Sequence, residues 1–121
     1  MTTALLPDDG TAGTLIGRVW DPRVSGPSVV AVRSTGVEDL SGSFATIRDV
    51  LENGDPAGAV AAASGPVLGS VADLLANTAI AGRDQALPWL LSPIDLQVVK
   101  AAGVTFPVSM LERIIEERAR G

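Results

Sequence analysis

The sequence predicts an α/β (α+β) fold, in which a small N-terminal domain over residues 1–93 precedes a strand and a helix within residues 94–121. Three observations support this prediction. Residues 28–33 form a β-branched, apolar run bounded by turn residues, which is typical of a strand. Residues 44–51 change to the spacing of a helix, and residues 109–120 form an amphipathic helix. The boundary is placed at the end of a Pro-bounded apolar stretch.

The composition narrows the classes of function. The chain has 121 residues, of which 46% are hydrophobic, a formal net charge of −5, and neither Cys nor His. Its nine cations are scattered along the chain, so we do not expect nucleic-acid binding. Lack of Cys and His excludes disulfides, thiolate or imidazole metal sites and His-based triads. No apolar run approaches the roughly 20 residues of a membrane span, which predicts a cytoplasmic protein without a membrane partner.

Strands dominate the first forty residues. Residues 14–20 alternate apolar residues with small or polar ones, which is a strand pattern. The second strand, at 28–33, is followed by a tight turn at residues 34–36. Residues 37–40 then return beside it, so that residues 28–40 are predicted to form a β-hairpin.

Three short helices follow. Ser43 is the predicted N-cap of the first, and its buried face comprises Phe44, Ile47, Val50 and Leu51. The second begins after Asp55, has Pro56 at the tolerated first position and continues through the Ala-rich residues 57–63. Ser70 caps the third, whose buried face comprises Val71, Leu74 and Leu75.

The remaining chain is predicted to be a loop, extended segments and one helix. Residues 79–86 form the loop, and residues 88–94 an extended apolar segment. Residues 96–106 form one buried strand, or two. The helix of residues 109–120 carries an apolar stripe, and its acidic and basic ends suit the helix dipole. The stripe comprises Leu111, Ile114 and Ile115.

Ser109 and Glu112 form the one pair of side chains that predicts chemistry. Ser-x-x-Glu at a helix start is a capping box, in which each side chain accepts from the other residue's backbone N–H. Such a cap stabilises a helix by about 1 kcal/mol. The alternative is that Glu112 acts as a catalytic acid–base, and the spacing alone favours the cap.

The residues around this pair resemble the start of the catalytic domain in the fumarylacetoacetate hydrolase superfamily. Members carry a Pro-containing apolar segment, a strand, and then Gly-x-Asn-Tyr-x-x-His-x-x-Glu at the start of a short lid helix. Gly103 and Glu112 match this pattern, and Phe106 stands at the aromatic position. Thr105 replaces the Asn and Ser109 replaces the His.

The resemblance extends over most of the chain. Residues 14–20, 26–30 and 98–120 are similar to a bacterial subgroup of the same family. It implies that the chain is the amino-terminal portion of a longer enzyme, with residues 94–121 supplying the first strand and lid helix of a truncated catalytic domain. The parent is expected to be a homodimer, and this portion alone, lacking its catalytic domain, is expected to be inactive.

The resemblance also implies a chemistry. The parent would be a metal-dependent hydrolase or lyase acting on a 2-keto or 1,3-diketo acid, with Mg²⁺ or Mn²⁺, or alternatively Ca²⁺, held by carboxylates outside this chain. Glu112 is the predicted catalytic residue and Ser109 its partner. Because a hydroxyl is a poor base near pH 7, Ser109 makes dehydration a competitor to C–C bond hydrolysis. The rival hypothesis is a complete interaction module that docks through Leu111, Ile114 and Ile115.

Overall fold

A computed structural model describes residues 5–101 and Ile115, and shows a mixed α/β fold with five strands and three short helices in that part of the chain. All neighbouring strands are antiparallel, in the order β4-β3-β2-β1-β5. The strands are β1 (Leu15–Asp21), β2 (Gly26–Arg33), β3 (Gly36–Asp39), β4 (Val67–Gly69) and β5 (Trp89–Leu91). The helices are α1 (Ile47–Leu51), α2 (Pro56–Ala62) and α3 (Val71–Ala76).

The predicted hairpin is confirmed. Strands β2 and β3 pair from Val30 opposite Asp39 to Arg33 opposite Gly36, so only two residues form the turn. Gly36 has φ of 127°, and a Cβ there would lie 2.8 Å from the carbonyl oxygen of Gly69. The turn therefore needs glycine both for its backbone angle and for the close approach of β4.

The core occupies both faces of the sheet because successive strand residues point to opposite sides. Helices α1 and α2 cover one face and α3 covers part of the other. The first cluster contains Val29, Ala31, Leu40, Phe44, Ile47, Val50 and Val60. The second contains Val19, Val30, Val37 and Leu74.

The start of α1 differs from the prediction. Thr46, not Ser43, is the N-cap, because Ser43 belongs to a turn in which its N–H donates to the carbonyl of Leu40. Thr46 and Asp49 form a reciprocal capping box. Leu51 was predicted to be buried, but it is the last residue of α1, borders an open cleft between α1 and α2, and is 52% exposed.

The other two helices begin where the sequence predicts. Asp55 accepts from the N–H of Gly58 before Pro56, and Ser70 accepts from the N–H of Asp73. Both contacts satisfy an N–H that the helix itself cannot pair. On α3 fewer side chains are fully buried than predicted. Leu74 is buried, whereas Val71 and Leu75 are half-buried.

The two edge strands are short. Strand β4, which has only three residues, was not predicted from the sequence. The predicted extended segment at 88–94 contains β5, and the predicted loop at 79–86 has no helix or strand. The N–H of Leu90 in β5 donates to the hydroxyl of Thr78, which in turn donates to the carbonyl of Leu74. The outer edge of β5 is thus partly closed by the end of α3.

The predicted buried strand at 96–106 is wrong for residues 96–101. Residues 96–101 form no strand, and Leu96, Val98 and Val99 are 62%, 84% and 67% exposed. A strand needs a pairing neighbour, and this segment has none among residues 5–101. Residues 102–106 lie outside the described residues.

The C-terminal helix also falls largely outside the described residues. Ser109, Leu111, Glu112 and Ile114 are not among them. Ile115 is in helical conformation and 66% exposed. In the described part of the chain, no helix is long and apolar enough to cross a membrane.

Arg33 joins the hairpin to α2. Its guanidinium donates to Glu38 at 2.7 Å and to the carbonyl oxygens of Val60 and Ala63 at 2.7 and 2.9 Å. A cation at the C-terminal end of a helix interacts favourably with its last carbonyls, and here Arg33 adds a donor to the carbonyl of Val60, which also accepts from the N–H of Ala63. These bonds hold the end of α2 against β2.

We expect Arg33→Met to destabilise the protein by about 1–3 kcal/mol, because the carbonyls of Val60 and Ala63 would each lose a donor in a half-buried setting and Glu38 would lose its ion pair. Urea denaturation measures the free energy of unfolding. Arg48→Met is the control, since its ion pair with Glu52 is exposed and should matter little. Equal effects of the two substitutions would contradict the assigned role of Arg33.

Candidate functional site

The predicted catalytic residues, Ser109 and Glu112, both lie outside the described residues. Neither their separation nor their surroundings are described. What the structure does describe is the segment that leads toward them from β5, through residues 92–101. The candidate site is therefore built from the side chains that hold this segment.

Arg18 holds the first part of that segment. It lies on β1, where its Cα is opposite Leu91 at the last paired position of β5. Its Nη1 donates to the carbonyl oxygens of Ser92 at 3.4 Å and Ile94 at 3.0 Å. The chain therefore stays beside β1 for three residues after strand pairing ends.

Asp95 fastens the segment to helix α1. Its Oδ2 accepts from the N–H of Ile47 at 2.7 Å, and its Oδ1 accepts from the N–H of Arg48 at 3.2 Å. Oδ1 also accepts from the N–H of Leu96 at 2.8 Å. We call Arg18, Asp95 and residues 92–97 the clasp.

The clasp completes the N-terminus of α1. The capping box satisfies the N–H groups of Thr46 and Asp49, and Asp95 satisfies those of Ile47 and Arg48. A five-residue helix would be marginal alone, because few of its N–H groups have partners within the helix. Its first turn is instead closed by a carboxylate that lies far along the chain.

The charge of Asp95 suits this role. Burial alone would raise the pKa of its carboxyl, but the backbone N–H groups of Ile47, Leu96 and Arg48, together with the charge of Arg18, lower it below the ordinary value. The side chain is therefore ionised near neutral pH. A charged acceptor strengthens hydrogen bonds to backbone N–H groups.

Side-chain bonds also order the rest of the clasp. The N–H of Asp95 donates to Oε1 of Gln97 at 2.8 Å. A cleft of about 180 Å³ lies beside the clasp, lined in part by Ser28, Thr46 and Leu96. Arg18 and Asp95 thus hold residues on both sides of Pro93 against β1 and α1. The domain boundary at Pro93 stays a prediction.

A second, apolar groove of about 370 Å³ lies on the opposite face of the sheet. Gly17 is among its lining residues, together with Leu15 and Leu90. Leu5 and Pro7 border it from the N-terminal side. The groove is a candidate contact surface. Arg18 is the one charged side chain that lines it, and its Nη1 already donates to the carbonyls of Ser92 and Ile94, so the groove lacks the set of convergent polar groups that would orient a small substrate.

Arg83, Trp20 and Trp89 form a cluster whose members contact one another and the neighbouring backbone. The Arg83 guanidinium lies 4.5 Å from the centroid of the Trp89 ring, and the two indoles stack with centroids 6.0 Å apart. Arg83 also donates to the carbonyls of Asn77 and Thr78. The cluster therefore supports the loop at 79–86.

Arg18 and Asp95 are the residues that sequence reasoning missed. They belong to different predicted domains, and neither belongs to the pair Ser109 and Glu112 or to the motif from Gly103 to Glu112. No helical pattern that Asp95 could cap comes directly after it in the sequence. The sequence therefore offers no local signal for its contact with α1. Only the pairing of β5 with β1 brings the two together.

Comparisons of the chain with protein-family models, with curated proteins and with solved structures give no match.

Proposed function

We propose that this chain is the amino-terminal portion of a metal-dependent hydrolase or lyase of the fumarylacetoacetate hydrolase superfamily, acting on a 2-keto or 1,3-diketo acid. The observation that carries the proposal is the run from Gly103 to Glu112, which resembles the family motif at the glycine, the aromatic residue and the glutamate. The clasp fixes the chain eight residues before Gly103. The proposed partners are the protein's own catalytic domain and, in a homodimer, a second subunit.

Glu112 is the proposed acid–base residue. A 2-keto acid has an acidic C–H next to its ketone, and a carboxylate nearby can take that proton. If a hydroxyl group lies β to the ketone, its loss as water completes a dehydration. In a 1,3-diketo acid, attack of water on a carbonyl breaks the C–C bond instead, and this route needs a base that Ser109 does not supply.

The described residues do not fit the metal that the family implies. Among residues 5–101 and Ile115, no three acidic side chains lie close enough to bind one ion. The carboxylates of Asp21 and Glu38 are engaged by Arg23 and Arg33, and that of Asp95 by backbone N–H groups. The proposal places the metal ligands in the catalytic domain, outside residues 5–101.

A protein-interaction module is the second candidate function. Ile115, which belongs to the predicted apolar stripe, is helical and 66% exposed. Leu96, Val98 and Val99 are exposed as well. Val98 and Val99 are adjacent in the sequence, and exposed apolar side chains that form a contiguous patch mark surfaces that another protein covers.

The experiment uses the protein translated from the complete reading frame. We expect metal-dependent turnover of an acylpyruvate, or of a 2-keto acid with a hydroxyl β to the ketone, followed by loss of substrate absorbance or formation of product. Chelation with EDTA should abolish it, and Mg²⁺ or Mn²⁺ should restore it. The 121-residue chain alone should show no turnover. A stop codon directly after Gly121, or no turnover of either substrate class, would favour the interaction module.

A further inference from the structure

The chain contains two asparagines, Asn53 and Asn77, and the fold holds their side chains differently. At Asn77, Nδ2 donates to three carbonyls within residues 84–88, and Oδ1 accepts from the N–H of Asp84 at 2.8 Å. Asn53 lies in the exposed connection between α1 and α2. Within the described part of the chain its side chain makes one hydrogen bond, in which Oδ1 accepts from the N–H of Asp55 at 3.0 Å. The fold therefore fixes the side chain of Asn77 at both ends and that of Asn53 only at its oxygen.

The residues that follow the two asparagines also differ. Gly54 is exposed, a Cβ there would meet nothing within 4 Å beyond its chain neighbours, and no group among residues 5–101 accepts from its N–H. Thr78 is branched at Cβ, and its N–H donates to the carbonyl of Leu75 at 3.1 Å. The backbone nitrogen after Asn53 is thus open to approach, whereas the one after Asn77 is engaged.

We propose that Asn53 is a site of spontaneous modification, at which asparagine converts to aspartate and isoaspartate without an enzyme. The backbone nitrogen of Gly54 attacks Cγ of Asn53, so that an N–Cγ bond forms, the Cγ–Nδ2 bond breaks and ammonia leaves. The proton that the nitrogen of Gly54 loses, and the proton that the leaving ammonia gains, are exchanged with water. A water molecule then opens the five-membered imide at either carbonyl and gives aspartate or isoaspartate. The proposal is independent of the proposed function.

The local geometry favours this reaction at Asn53. A backbone amide is a weak nucleophile, and the absence of a side chain at Gly54 leaves the path to its nitrogen unobstructed. Negative charge develops on Oδ1 as the ring closes, and the N–H of Asp55 is already directed at that oxygen. A donor placed where charge develops stabilises the transition state.

The fold opposes the same reaction at Asn77. Ring closure there would require the four hydrogen bonds of its side chain to break. It would also require the N–H of Thr78 to leave the carbonyl of Leu75. Both changes need a local opening of the structure, which is rarely populated in a folded region.

The two products should affect helix α2 differently. Aspartate at position 53 keeps an oxygen that can accept from the N–H of Asp55. Isoaspartate inserts a methylene into the main chain before Gly54 and so displaces Asp55, the N-cap of α2, whose carboxylate accepts from the N–H of Gly58. The amide of Gly58 should therefore exchange faster in the purified isoaspartate form than in the aspartate form, and equal exchange would overturn this effect on α2.

The test incubates the 121-residue chain in mildly alkaline buffer, folded or in urea, and follows both asparagines by digestion and mass spectrometry. Each conversion replaces an amide NH₂ with OH and changes the fragment mass accordingly. In the folded chain we expect Asn53 to convert at least about 10-fold faster than Asn77. Urea should raise the rate at Asn77 at least about 10-fold and leave that at Asn53 within about three-fold. No conversion at Asn53, or equal protection of both sites by folding, would overturn the proposal.

Gly54→Ala tests the attacking nitrogen without disturbing the fold. Gly54 has no positive φ, and a Cβ has room there, so the melting temperature should stay near that of the wild type. The added methyl group obstructs the nitrogen, and conversion at Asn53 should fall at least about 10-fold. Asn53→Gln is the control for the ring, because its longer side chain cannot close the five-membered imide. An unchanged rate at Asn53 in Gly54→Ala would overturn the assigned role of the Gly54 nitrogen.

Discussion

Glu112→Gln is expected to lower kcat at least about 100-fold in the protein from the complete reading frame, with little change in melting temperature. Gln keeps the shape of Glu and is accepted in a capping box, so the helix start should persist. An amide cannot exchange protons as a carboxylate does, and general acid–base catalysis is typically worth about 10²–10⁴-fold. Steady-state kinetics and thermal denaturation of the same preparation separate the two effects.

Retained turnover in Glu112→Gln would indicate that Glu112 is a helix cap. If Glu112 only caps its helix, the Gln variant should lose well under about 1 kcal/mol of stability and keep its turnover. Ser109→Ala is the matched variant, because it removes the other half of the capping box. Turnover within about three-fold of wild type in Glu112→Gln would return Glu112 to the role of a cap.

Leu40→Ala is expected to lower the free energy of unfolding by about 2–5 kcal/mol, a large share of the total for a domain of this size. Leu40 is fully buried in the cluster between the sheet and the first two helices. Its N–H donates to the carbonyl of Val29, so the side chain is held in place and its removal leaves a cavity. Urea denaturation followed by circular dichroism measures the loss.

Leu51→Ala is the control, since it removes the same atoms from a side chain that is 52% exposed. We expect it to cost less than about 1 kcal/mol, because an exposed leucine leaves no closed cavity. A loss at Leu51 as large as that at Leu40 would contradict the burial of these two residues in the structure.

Local signals in the sequence predicted much of the fold. The β-branched run of β2 and its two-residue turn to β3 belong to one short stretch of chain, where strand propensity and turn chemistry agree. Likewise, Asp55 and Ser70 cap helices that start one residue later. Such features need no knowledge of distant residues.

Features that depend on distant residues were not predicted. Strand β4 exists because the backbone of Gly36 and Gly69 can approach closely, and nothing in its own three residues indicates it. The N-cap of α1 is Thr46 and not the predicted Ser43, because the preceding residues form a turn in which N–H groups donate to the carbonyl of Leu40. At the candidate site, Asp95 meets α1 only after β5 has joined β1, so its role follows from the folded arrangement and not from its neighbours in sequence.

The contact between Thr78 and Leu90 bears on how folded molecules avoid pairing at an edge of the sheet. An unpaired N–H at the edge of a sheet is a template on which a strand from another molecule can add, the first step toward aggregates. In β5, the N–H of Leu90 is already given to the Thr78 hydroxyl. A single hydroxyl at the end of α3 thus works against edge-to-edge polymerisation at this side of the sheet.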